Sequence, residues 1–157
     1  MRKIYCNIII IAVTALLCCQ CTTSKELRQA LQGAKDVPYT VLDNYYVRND
    51  VDCSKLQRLV LDSEQEFETF FGPAAVMGGM PTDINWKTQF VIAIVLPETT
   101  RTMNVIPLRV KQSPGNVIFN YQLNRGRKTG YRQVPFAAVA LNRAADAQQV
   151  EVFFIEK

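Results

Sequence analysis

The chain contains no histidine, and that omission removes most neutral-pH catalysis. Ser-His-Asp and Cys-His arrangements are impossible, as are imidazole zinc sites and the usual general base. Carboxylate and thiol chemistry remain. Asp50 and Asp52, the run Asp62, Glu64, Glu66 and Glu68, and Asp83 are the acids that a paired-carboxylate hydrolase would draw on. None of them stands in a recognisable motif. Asp50 and Asp52, one residue apart, suit a solvated turn, and their segment lacks the ligand spacing and terminal Glu of an EF-hand. Cys53 is the only cysteine beyond residue 21, and it lacks the base that activates a catalytic thiol. No cofactor or metal is called for, the expected catalytic set is empty, and the chain reads as non-enzymatic.

Two segments offer binding chemistry instead. Gly72 to Trp86, rich in Gly, Pro and Met, is longer than the usual connection of about 4 to 6 residues, and long loops of this kind are often functional. Within it Met77, Met80 and Trp86 are adaptable apolar contacts for a partner. Asn124 to Arg132 reads as a hairpin turn that presents Arg125, Arg127, Lys128 and Arg132, with Gly126 and Gly130 supplying positive φ. Arginine forks there suit carboxylates and phosphates.

These segments need elements to hold them. Ser63 and Glu66 form a capping box; Phe67, Phe70 and Phe71 make an apolar stripe, and Gly72-Pro73 a stop, so a short helix is predicted from Ser63 to Phe71. Its glutamates then serve the helix dipole. The unbroken apolar run Phe90 to Leu96 predicts a strand covered on both faces. Ile106 to Val110 and Val117 to Leu123 alternate around the turn Ser113-Pro114-Gly115-Asn116. Further strands are expected at Tyr39 to Val47, Leu59 to Leu61, Val134 to Leu141 and Val150 to Ile155, with Pro107 and Pro135 at edges or bulges. Ser24 to Gln32 reads either as a second helix or as a linker. The class is α+β: a mainly antiparallel sheet of six or seven strands with one short docked helix, the alternative being a small barrel or a sandwich with a helical flap.

The N-terminus supplies an address. Met1-Arg2-Lys3, the apolar run Ile8 to Leu17 and the cluster Cys18, Cys19 and Cys21 have the size of a secretory signal, too short for a membrane span. The segment resembles a bacterial lipobox, which implies acylation at Cys19, with Cys21 as the alternative. The organisation is then residues 1–18 signal peptide, 19–36 anchor and linker, and 37–157 one globular domain, a size that can bury a real core. The implied location is the cell envelope, lipid-anchored at the outer membrane on its periplasmic face or the cell surface. If Cys19 is the anchor, Cys21 and Cys53 could pair in an oxidising compartment.

Charge is uneven along the chain. Residues 22–98 carry seven Lys/Arg against eleven Asp/Glu, net −4; residues 99–157 carry nine against three, net +6. The balance is too small to argue for nucleic acid, and a fold that segregates the halves would be dipolar.

Phe67-Glu68-Thr69-Phe70-Phe71-Gly72, Ala74 to Gly79, Pro81-Thr82-Asp83-Ile84-Asn85-Trp86, the strand Phe90 to Val95, and Asn44-Tyr45-Tyr46-Val47 upstream resemble uncharacterised small lipoproteins of Bacteroides-type bacteria. That family brings no function with it. More loosely, the order of helix, buried strand, hairpin and a final Val134-Pro135-Phe136 strand is similar to the C-terminal domain of protease-complex accessory lipoproteins, which implies help in maturing a surface protease. The expectation is a non-enzymatic module that binds an envelope or secreted protein, as a protease accessory or inhibitor, and meets the membrane through its anchor. The alternative is a glycan- or small-ligand-binding lipoprotein using Trp86, Tyr45 and Tyr46.

Overall fold

The computed structural model describes residues 22–74, 79–143 and 150–157. The acylation candidates Cys19 and Cys21, and Met77 of the long loop, lie outside them.

The run Gln89–Val95 forms β6, at the centre of a four-stranded sheet whose other members are β2 (Thr40–Val41), β9 (Phe136–Asn142) and β4 (Gln57–Leu61), in the order β2-β9-β6-β4. Side chains of a strand alternate between faces, so an unbroken apolar run needs two covers. Phe90, Ile92, Ile94 and Leu96, with Ala137, Val139 and Leu141, face a second four-stranded sheet through Val105, Val110, Val117, Phe119 and Tyr121. Val91, Ala93 and Val95, with Ala138 and Ala140, face the other way, onto Leu42, Val47, Leu61, Phe67 and Phe71. Each large side chain so buried contributes roughly 1.5–3 kcal/mol.

The second sheet runs β1 (Lys35–Asp36), β7 (Thr99–Ser113), β8 (Asn116–Gln133) and β10 (Glu151–Glu156). Helix α1 (Thr22–Leu31) lies against β8. Ala30 is buried there, and its carbonyl accepts a hydrogen bond from Ser113 Oγ at 3.1 Å. Residues 22–36, read from the sequence as anchor and linker, thus contribute a helix and a strand to the domain.

On the far side of the central sheet sit α2 (Glu64–Phe70) and a two-stranded sheet of β3 (Tyr45–Val47) and β5 (Phe71–Pro73). Ser63 caps α2 by accepting from the Glu66 amide at 3.3 Å, and Glu66 Oε2 returns to the Asp62 amide at 2.8 Å. Phe67 and Phe71 are buried and Phe70 is half-buried. Instead of stopping at Gly72-Pro73, the chain passes from α2 directly into β5, because Phe71 is already extended (φ −125°, ψ 141°).

The class is α+β with antiparallel-dominated sheets and a short docked helix, and among the described residues the sheets do not close into a barrel. The predicted strand Tyr39 to Val47 is two strands in two sheets. Asn44, with φ 62°, breaks it and hands the chain from β2 to β3.

The two stacked sheets are made largely from one bent ribbon. Gln89 pairs with Asn142, Val95 with Phe136, the Leu96 amide donates to the Pro135 carbonyl at 2.9 Å, and pairing resumes from Thr99 with Gln133 down to Ser113 with Asn116. The same two stretches of chain therefore stay antiparallel from one sheet into the other, with Gly115 (φ 75°) closing the turn. Pro107 sits beside a bulge, and the buried Pro135 lies between β8 and β9.

Candidate functional site

The ribbon bends where it leaves the central sheet, and the cationic side chains are at that bend. From Thr99↔Gln133 to Arg101↔Lys128, β8 advances five residues while β7 advances two; from there to Met103↔Arg125 it advances three against two. Surplus residues on one strand twist and bend a ribbon and re-aim its side chains. Arg125, Arg127, Lys128 and Arg132 lie on this bulged stretch, and all are exposed.

The sequence reading of Asn124 to Arg132 as a hairpin turn is therefore corrected. The segment is strand, paired with Thr99 to Asn104 across the ribbon. Neither Gly126 nor Gly130 has a positive φ. Gly126 is required for close approach instead, since a Cβ there would run into Thr102 Oγ1, which donates to the Arg127 carbonyl at 3.2 Å.

Two of these cations have carboxylate neighbours. Arg132 Nη1 lies 3.2 Å from Glu98 and Arg125 Nη2 lies 3.8 Å from Glu156. Exposed pairs of this kind contribute little. Among the described residues Arg101, Arg127 and Lys128 have no such partner. Arg101 and Lys128 stand opposite each other across the ribbon, an arrangement that like charge disfavours. An anion placed there relieves that repulsion. Sequence reasoning missed Arg101, although its neighbours Thr99, Thr100 and Thr102 have strand propensity.

Met80 and Trp86 belong to the opposite side of the molecule. Met80 is 88% exposed, beside Asn44, whose Nδ2 donates to its carbonyl at 3.0 Å. The loop is pinned further by Thr82, which accepts from the Asp43 amide at 3.0 Å and from Tyr45 Oη through its carbonyl at 2.8 Å. Trp86 is half-buried with its ring 5.6 Å from that of Phe67, packed against the apolar cluster under α2. The methionine and tryptophan thus do not join the cations in one site.

Near the bend, Val47 to Asn49, Val51 to Ser54, Pro97, Glu98 and Val134 enclose a cleft of about 500 Å³. Cys53 lines it. Burial, then the charges of Asp52 and Glu98, push its thiol above the ordinary 9.0, the opposite of what a nucleophilic cysteine needs. The acids also have evident structural uses. Asp50 is held low by its hydrogen bonds with Arg48 (3.1 Å), Asp52 by the Ser54 amide (2.9 Å), and Asp62 pairs with Arg143 at 2.8 Å.

No family model, curated protein or solved structure matches this chain.

Proposed function

We propose that the chain is an envelope lipoprotein whose folded domain binds a protein partner without catalysing a reaction, as an accessory or inhibitor of a protease. The observation that carries this reading is the bulged bend, which gathers exposed cations on one paired ribbon. The rest of the surface supports it. Glu64, Glu66, Glu68 and Asp83 lie on or beside the α2 layer, beyond the central sheet from the basic ribbon. Charge segregated in this way steers and orients an oppositely charged partner.

Small-ligand binding has one observation in its favour, the cleft of about 500 Å³, which lies in the size range of ligand sites. Its walls carry none of the aromatic side chains a sugar would stack on, because Trp86 and Tyr45 pack around Phe67.

The test is a crosslinked capture from envelope and secreted fractions with the tagged full-length chain. One protein recovered in near-equal amount, and lost from an Arg125→Glu/Arg127→Glu variant, is expected. Recovery indifferent to that charge reversal, or no specific protein, would overturn the reading. The anchor is tested separately: acyl labelling should vanish in Cys19→Ser and persist in Cys21→Ser.

A further inference from the structure

We propose that the outer edge of β7 from Thr99 to Ile106 is a docking edge for an extended acidic segment of the partner protein, which adds to the ribbon as a further strand. This rests on the protein-binding reading above and gives it a place and a chemistry.

Three observations converge on that edge. First, among the described residues it has no strand beside it. β1 pairs with β7 only at Lys111 and Gln112, and the chain after β1 reaches only as far as Pro107, whose carbonyl accepts from Tyr39 Oη at 3.3 Å. On the other side Glu98 is already engaged, its amide donating to the Cys53 carbonyl at 3.0 Å. Between these two points the Arg101 amide donates to Thr99 Oγ1 at 3.2 Å, the Arg101 carbonyl accepts from Gln133 Nε2 at 2.6 Å and the Thr100 carbonyl accepts from Thr129 Oγ1 at 2.9 Å; exposed side-chain bonds of this kind are what the main chain of an added strand replaces.

Second, the irregularity is placed on the other strand. The surplus residues at the bend all belong to β8, which leaves β7 evenly spaced from Thr99 to Pro107. Bulges and charges are how an edge is guarded against pairing. Here the bulges guard β8 and leave β7 able to accept a neighbour.

Third, the surroundings of the β7 edge select that neighbour. Arg101 and Lys128 face each other without a carboxylate. A second copy of this ribbon would bring like charges together, whereas glutamates or aspartates on an added strand would neutralise them. Further side chains of that strand meet apolar surface. Met103 and Val105 line a cavity of about 340 Å³ with Val134, Pro135 and Phe136, and Ile106 is 40% exposed on the opposite face. Arg101, Met103 and Val105 follow one another at two-residue spacing and share a face of β7, so the occupant is an extended segment that sets an acidic residue and then apolar residues at alternate positions along that face.

The experiment uses the full-length protein and a short extended peptide in which a glutamate and then two valines occupy alternate positions, read by fluorescence anisotropy and amide hydrogen exchange. Binding should slow exchange within Thr99–Ile106, weaken with salt, and fall by about tenfold or more, about 1.4 kcal/mol, in Arg101→Glu/Lys128→Glu. A lysine-valine peptide should not bind. Arg101→Gln is the milder variant if the double reversal disturbs the fold, which Trp86 fluorescence would reveal. Equal binding by a peptide N-methylated at alternate residues, protection elsewhere, no binding, or the same protection from a sulfated polysaccharide would each overturn the proposal. Envelope-partner capture that survives Arg101→Glu/Lys128→Glu would overturn the edge assignment alone and leave protein binding standing.

Discussion

Replacing Phe67 with alanine removes the one buried side chain of α2. Phe67 is 4% exposed. Its ring lies 4.9 Å from Phe71 in a stacked arrangement, 5.0 Å from Tyr45 edge-on and 5.6 Å from Trp86. Truncating a buried phenylalanine costs about 3–5 kcal/mol. Aromatic pairs contribute about 0.5–1.5 kcal/mol each beyond their area, so three of them place this site near the top of that range, at about 4–5 kcal/mol. Against a domain stability of about 5–15 kcal/mol that is a large fraction. Urea unfolding followed by Trp86, the single tryptophan of the chain, should show a lower midpoint at unchanged slope. Phe70→Ala is the internal reference. Phe70 is half-buried and its ring neighbour is Phe71 at 6.4 Å, so its loss should cost about 1–2 kcal/mol. A Phe67→Ala cost no greater than that of Phe70→Ala would refute the assignment of Phe67 as the centre of the α2 layer.

Gly126→Ala forces a methyl group against Thr102 Oγ1 and should raise amide exchange across the bend by an amount equivalent to about 1–3 kcal/mol. Adding Thr102→Ala should restore most of the protection, and a double variant no better than the single would show that the close approach is not the cause. Ser63→Ala should cost about 1 kcal/mol in the same urea assay, and no change would mean that α2 holds without its cap. Cys53, whose thiol is pushed above the ordinary 9.0 by burial and then by Asp52 and Glu98, should be alkylated more slowly in the folded than in the unfolded protein near neutral pH. Because its folded pKa is raised, the stability linked to it is complete below the unfolded value and is lost as pH rises through the folded one. Folded and urea-unfolded protein reacting at equal rates at pH 8 would contradict this.

Wherever burial imposes a pattern, the sequence carried it. The capped Ser63 helix, the two-faced strand Phe90 to Leu96 and the Ser113–Asn116 turn are all found close to their expected bounds. Each is specified locally, by a side chain reaching its own backbone, an unbroken apolar run, or a glycine with positive φ. The bend was not legible for the converse reason. Asn124 to Gln133 lies beyond the core, so nothing selects alternating hydrophobicity there, and its strand character comes from pairing with Thr99 to Asn104, far away in the chain. Trp86 shows another limit. Its type suits a binding surface and packing alike, and that its ring lies 5.6 Å from that of Phe67 could be read only from the structure.

The strand order β2-β9-β6-β4 has a kinetic side. The most apolar strand, β6, is separated in sequence from its partner β9 by the intervening bend and hairpin, so few of its neighbours are close in sequence. Topologies dominated by such distant pairings fold slowly, over milliseconds to seconds. Until β9 docks, Val91, Ile92 and Ile94 line an unprotected edge in a nascent chain, a hazard for aggregation.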